Sequence, residues 1–513
     1  MAARGGIGRA GRVVAALLLA GRTVFGGVAQ DSPAPPAAPA AATDSQPLSL
    51  KELSQIYRRE LEGVYAPADA DKVYAAHQLI EQYFAAPHAA ERKKVVEDLE
   101  ASGVDVNVLG RLARIRMHWP SLEPGGVYYV NERFGPYTVK YFLGLPTAYD
   151  RTRPWPLVIK LPGAHAFAAT PPPADEQAAA IYRTWTEEEL SRHPDAAVLM
   201  PLLDLKELWG PTYPGMNRVI QPMLHAAGRV NVDPARVYLV GHSMSGHAAW
   251  NLALHYPTYF AAFNPLAGSA SADWQRLRLI NLRNVLPVVW HDADDDVIPV
   301  ARSQSIVKAL HNLKLDVEYD ETKGVGHAPT AEIAEASYRK MRGRTRDLYP
   351  PQVWLQSNRP ETLFNRADWV QVYQPLRPGQ DRRLLIRGGG EMTVYQNAFR
   401  ADAAVTSPNH IEVKADNVGL MRLYLNDRLV DFRKPVTVIV NKKPKFEGLL
   451  RPSVTEMLAD QLFLGRGWRY YGAVVDIDLA DAPPSTRPTS RPPAKPVAPR
   501  DAPVSPSRPP AAH

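Results

Sequence analysis

The amino-acid sequence predicts an α/β fold: a mostly parallel sheet with helices on both faces, preceded by a small helical region and followed by a β-sandwich-like domain. Three observations carry this. Over residues 121–349, short apolar runs bounded by glycine or proline alternate with helical patterns, as expected for strands buried on both faces of a sheet. Before that block, apolar residues recur at helix spacing. After it come short strands at regular spacing, with no long helical pattern until about Ser453.

The elements follow in order. Tyr74, Leu79, Ile80, Tyr83 and Phe84 share one helical face, and Val106, Leu109, Leu112, Ile115 and Met117 another, within a helical region spanning 47–120. V-Y-Y-V-N-E-R-F and Y-T-V-K-Y-F-L-G form a hairpin through Gly135-Pro136. P-W-P-L-V-I-K-L-P-G is a continuous apolar strand ending in glycine, and A-A-V-L-M-P (196–201) is another. Residues 217–228 read as helix, 237–240 as strand, 248–255 as helix. Strands follow at 260–266, 285–290 and 315–319, with a helix at 301–313 between the last two. In residues 350–482, R-L-L-I-R-G, E-M-T-V-Y-Q, H-I-E-V-K-A, L-M-R-L-Y-L and V-T-V-I-V-N are strands, with turns at Gly388-Gly389-Gly390 and Asn426-Asp427.

The ends differ from the body. Four arginines and no acids lie in residues 1–29, where Arg4, Arg9 and Arg12 precede an apolar run and Gly27-Val28-Ala29 forms a small-residue cleavage site; this reads as an export signal, so the product is expected in the periplasm or outside the cell. Residues 30–46 are a Pro/Ala linker, and residues 483–513 a Pro-rich tail expected to be disordered, with five cations against Asp501. Of the formal charge of +7, residues 30–482 therefore hold only −1, which leaves no electrostatic footprint for nucleic acid. No run reaches the roughly 20 apolar residues of a membrane span. Among 513 residues there is no cysteine, which excludes disulfides, thiolate nucleophiles and cysteine metal sites.

The chemistry concentrates around V-G-H-S-M-S-G-H. A strand, V-Y-L-V, runs into Gly241-His242-Ser243-Met244-Ser245 and a helix leaves it: a nucleophile elbow, except that Ser245 stands where the second glycine belongs. Strand 286–290 then enters H-D-A-D-D-D-V-I-P, and strand 315–319 leads to K-G-V-G-H-A-P. The segment from Val127 to Arg342 resembles the α/β-hydrolase superfamily, nearest to secreted serine esterases, polyhydroxybutyrate-depolymerase-like and prolyl-oligopeptidase-like members. The resemblance implies Ser243 as nucleophile, His327 as base and, by matching His291 and Pro299 to the family's acid loop, Asp295 as acid; Asp292, Asp294 and Asp296 remain rivals. It implies an oxyanion hole from the amides of Met244 and Ala164, with Gly163 allowing close approach and Pro162 unable to donate. Trp209, Tyr213 and His242 are candidate substrate-binding residues. The expected activity is ester cleavage by a serine hydrolase on a small-molecule or polymeric ester. A serine peptidase on the same triad, or a non-catalytic binding protein on a hydrolase scaffold, are the alternatives. No cofactor and no metal are expected.

Overall fold

The computed structural model describes residues 45–480, apart from 65, 164–174, 204–208, 210–212, 361–363, 378, 380–381 and 387–389. The expected export signal, most of the linker, the tail and Gly388 and Gly389 of the triple-glycine turn lie outside the described residues.

The mixed sheet is built from eight strands: β1 (Val127–Phe134), β2 (Tyr137–Gly144), β3 (Trp155–Leu161), β4 (Ala197–Pro201), β5 (Val232–His242), β6 (Ala262–Leu266), β7 (Leu286–Asp292) and β8 (Glu318–Thr322). Their order is β8-β7-β6-β5-β3-β4-β2-β1. The hairpin β1–β2 joins antiparallel to β4, and β3 to β8 run parallel. Side-chain alternation explains the continuous apolar runs. Leu157, Ile159, Leu239 and Val289 pack on one face beneath helices Tyr213–Ala226 and Met244–His255. Val158, Tyr238, Val240 and Val288 pack on the other, against Tyr338 and Met341.

Two helices carry no signal in the sequence pattern. Among its described side chains Asp175–Arg192 buries Tyr182, Thr186 and Glu189, two of them polar. Ala331–Arg342 turns inward only Ser337, Tyr338 and Met341. Strand β8 begins at Glu318, not at residue 315: Leu315 instead closes the preceding helix, its amide donating to the Leu310 carbonyl at 3.0 Å. As an edge strand with half-exposed residues, β8 needs no apolar run.

The helical region comprises Leu50–Glu60, Ala70–Ala85, Ala89–Ala101 and Val106–Arg114. The first is started by a Ser49/Glu52 capping box. Its core is closed by the distant helix Val454–Leu464 through Val454, Met457 and Leu458. The C-terminal region is a sandwich of a five-stranded and a four-stranded sheet around Val372, Ile411, Val438 and Leu423. Among the described residues no helix is long and apolar enough to cross a membrane.

Candidate active site

The site begins with a backbone requirement. β5 ends at His242 and a helix starts at Met244, leaving Ser243 as the hinge with φ 58° and ψ −119°. A non-glycine residue at positive φ is strained, at a cost on the order of 1–3 kcal/mol. Here the surroundings impose it. The Ser243 amide donates to the Leu266 carbonyl of β6 at 2.9 Å, and the His247 amide closes the first helical turn on the Ser243 carbonyl at 3.0 Å. The Met244 amide, at the first helical position, has no helical carbonyl to bond.

The chain passes itself too closely for side chains at two places. A Cβ on Gly241 would stand 2.1 Å from the Ser245 carbonyl oxygen, and one on Gly246 would stand 2.9 Å from both the Leu266 oxygen and the Gly268 Cα. Gly246, one residue beyond the expected position, therefore lets the helix meet β6. Ser245 is free to carry a side chain. That side chain is buried and donates to the Pro162 carbonyl. The Trp209 indole N–H donates to the same carbonyl at 3.0 Å. Pro162 cannot donate, but its carbonyl is the point at which the loop after β3 is fixed.

The Ser243 hydroxyl lies 2.8 Å from His327 Nε2, and His327 Nδ1 lies 2.9 Å from Asp295 Oδ2. Nδ1 faces a carboxylate, so it carries the proton and Nε2 accepts from the serine hydroxyl. Asp295 is buried. It also accepts from the amides of Val297 at 2.9 Å and Ile298 at 2.8 Å. Burial pushes its carboxyl up, but those amides and His327 outweigh it and hold the group below its ordinary value. Asp292 is buried too, yet it turns away from the histidine. It accepts from Thr322 Oγ1 at 2.7 Å and from the amides of Asp294 at 2.9 Å and Val325 at 3.1 Å, tying β7 to β8 and to the histidine loop. Asp294 and Asp296 are exposed. Gly324 and Gly326, at φ 84° and 81°, turn that loop back toward Ser243.

Of the substrate-binding candidates, Trp209 is corrected. It is 4% exposed and packed in the main core, so it presents no face for stacking; its place is under the loop, bonded to Pro162. His242 donates from Nε2 to the His327 carbonyl at 2.8 Å, with ring centroids 5.0 Å apart, and so supports the histidine loop. Gly163 ends the described stretch after β3. Ala164 and the Tyr213 side chain lie outside the described residues.

One participant escaped the sequence reading. His291, used there only to align the acid loop, is fully buried with Nε2 3.0 Å from Asp295 Oδ2 and 2.8 Å from the Ile298 carbonyl, and Nδ1 2.7 Å from Ser303 Oγ. Two acceptors at Nε2 place its proton there, so His291 donates to the acid and fixes its orientation. The signal that could have found it is its position four residues before Asp295, at the end of a buried strand. Among the described residues, no group of three or more His, Cys, Asp or Glu could hold a metal.

The sheet order and the elbow are those of the α/β-hydrolase fold. Residues 218–396 match the model of the Esterase family. No curated protein matches the chain. Similar solved structures include a thermostable esterase at 22% identity, covering 39% of this chain and 54% of that one with a TM-score of 0.33, so that the chain spans about half its length. A ferulic acid esterase from Anaeromyces mucronatus, solved with ferulic acid, is 13% identical over 45% of this chain and 94% of its own, with a TM-score of 0.34. A thermophilic esterase from Thermogutta terrifontis is 14% identical over 44% of this chain and 90% of its own, with a TM-score of 0.30. The family match supports an esterase-like α/β hydrolase.

Proposed function

We propose that the protein is an exported serine hydrolase that cleaves carboxylic esters through an acyl-enzyme on Ser243. The carrying observation is the unbroken relay from Ser243 Oγ to His327 Nε2 at 2.8 Å and from His327 Nδ1 to Asp295 at 2.9 Å, mounted on a strained elbow. A serine hydroxyl is weakly nucleophilic unless a base takes its proton as it attacks. His327 accepts that proton on Nε2 while Asp295, held ionised by the Val297 and Ile298 amides and by His291, stabilises the imidazolium. The oxyanion then meets the Met244 amide, with the second donor supplied by the loop whose entry Ser245 and Trp209 fix at Pro162. His327 returns the proton to the leaving alkoxide, and water repeats the cycle on the acyl-enzyme. The Esterase family match favours esters over peptides.

A fluorophosphonate probe tests this on the protein as the cell produces it. Wild type should be labelled at Ser243, hydrolyse p-nitrophenyl esters faster than peptide amides, and be recovered from the periplasm or medium beginning at Gln30. Ser243→Ala should lose labelling, and His327→Ala should lose at least about 10³-fold in turnover. Labelling that survives Ser243→Ala would overturn the reading, and peptide turnover without ester turnover would move it to the peptidase.

A further inference from the structure

A polar cavity lies far from Ser243. Its volume is about 150 Å³, and it is walled by Arg114, Arg116 and Trp119 of the helical region, by Val232 and Asp233 at the start of β5, and by Gly467. Ser243 follows the opposite end of β5, an 11-residue strand, so the two sites are separated by roughly 30 Å.

The charges in this wall do not cancel. Arg59 is paired with Glu60 at 2.9 Å, Asp233 with Arg236 at 2.6 Å, and the neighbouring Arg466 with Glu81 at 2.7 Å. Arg114 reaches only the Gly467 carbonyl, at 3.5 Å. Arg116 has only the Trp119 ring, 5.8 Å from its centroid. Among the described residues neither is ion-paired. Burial first, then Arg466, pulls Arg116 down to about 9 against the opposing pull of Glu81, which is already committed to Arg466. An unpaired guanidinium taken from water is costly. The body around it carries a net charge of only −1, so the excess is local.

The geometry points to a binding site for a small dianionic oxyanion of the phosphate or sulfate class, held by Arg114 and Arg116 with Trp119 as its apolar wall. Two guanidinium forks match two negative charges spread over a tetrahedral set of oxygens, whereas a carboxylate would neutralise only one of them.

Calorimetric titration of the full chain at low salt tests the site with inorganic phosphate, sulfate, phenyl phosphate and acetate. Phosphate and sulfate should bind once per chain and acetate far more weakly. Arg114→Met and Arg116→Met should each weaken phosphate by about tenfold or more. Arg433→Met, whose guanidinium is exposed and paired with Asp431, should not. Phenyl phosphate binding more tightly than phosphate would identify an ester resting on Trp119, and equal affinities a free ion. In anion-free buffer Arg116→Met should melt no lower than wild type, since it removes repulsion with Arg466. No phosphate binding by wild type, unchanged binding in the double Met variant, or a melting loss in Arg116→Met that is the same with and without phosphate would each overturn the assignment.

Discussion

Two neighbouring carboxylates, Asp292 and Asp295, do different work because different donors face them. Burial pushes Asp292 up. The Thr322 hydroxyl and the Gly326, Asp294 and Val325 amides more than offset that and hold it at about 2. It is therefore a charged clamp on the end of β7. Asp295 accepts the Val297 and Ile298 amides on Oδ1 and His291 on Oδ2, while His327 Nδ1 faces both oxygens, at 3.0 and 2.9 Å. Asp295→Asn is expected to lower turnover by about 10⁴-fold with a small change in melting temperature. Asp292→Asn should lower melting temperature instead. That loss should be full above the ordinary carboxyl range near pH 4 and fade toward pH 2, because the carboxylate's contribution vanishes as the folded group takes up its proton. Asp294→Asn and Asp296→Asn should leave turnover within about twofold and melting temperature nearly unchanged, as both side chains are exposed. Steady-state kinetics and melting curves of the four variants check this; a large kinetic loss in Asp294→Asn or Asp296→Asn would refute the partition. The place after a buried strand narrowed the acid to a four-aspartate loop, and matching His291 and Pro299 to the family's acid loop pointed to Asp295. Neighbours cannot say which carboxylate points at His327, since that depends on a loop 32 residues downstream.

At the scale of the element, the elbow was legible because its parts are contiguous: an apolar strand, small residues around Ser243 and a helix. The displaced glycine was not. Gly246 is required by β6, whose Leu266 oxygen and Gly268 Cα would lie 2.9 Å from an added Cβ. Gly246→Ala should thus cost about 1–3 kcal/mol through overpacking and lower activity by shifting the helix that carries Met244. Gly343→Ala, with its nearest atom 3.5 Å away, should cost almost nothing. Thermal denaturation of both variants decides this, and equal melting temperatures would be against it. Asp175–Arg192 was missed for a related reason. Its inward residues include Thr186 and Glu189: Glu189 is paired with Lys160 of β3 at 2.9 Å, and the Thr186 hydroxyl donates back to the Tyr182 carbonyl one turn earlier in the same helix and lies against Met200 of β4. Apolar periodicity cannot report a helix whose buried face is polar.

The whole molecule is held together by long-range polar contacts as well as apolar ones. Arg346 bridges to Asp368 at 2.5 Å and donates to the Phe260 carbonyl at 2.9 Å, locking the sandwich to the end of the hydrolase sheet. Arg466 joins Glu81 to the segment after Val454–Leu464. Three buried histidines add a pH dependence. Burial lowers His77 to about 4 against the opposing pull of Glu81, and lowers His225 to about 4 and His255 well below its ordinary value. Between pH 6.5 and 4 the unfolded chain binds protons that the folded chain does not, so stability must fall as pH falls through this window. His77 alone accounts for on the order of 3 kcal/mol. Melting temperature should therefore drop from pH 6.5 to pH 4, and His77→Gln should flatten part of that slope; a melting temperature constant over this range would contradict the burial of these rings.

By itself the sequence determined the fold class, the strand–elbow–helix around Ser243 and the loops from which an acid and a histidine could come, since each is written in consecutive residues through the side-chain periods of strand and helix. Only the tertiary structure decided which aspartate meets His327, that Trp209 lies buried beneath Pro162, that His291 braces Asp295, and that residues 454–464 complete a core begun at residue 48. Each of these depends on contacts between segments remote in the chain or on the direction of one side chain within a loop. Neither leaves a periodic trace in the sequence.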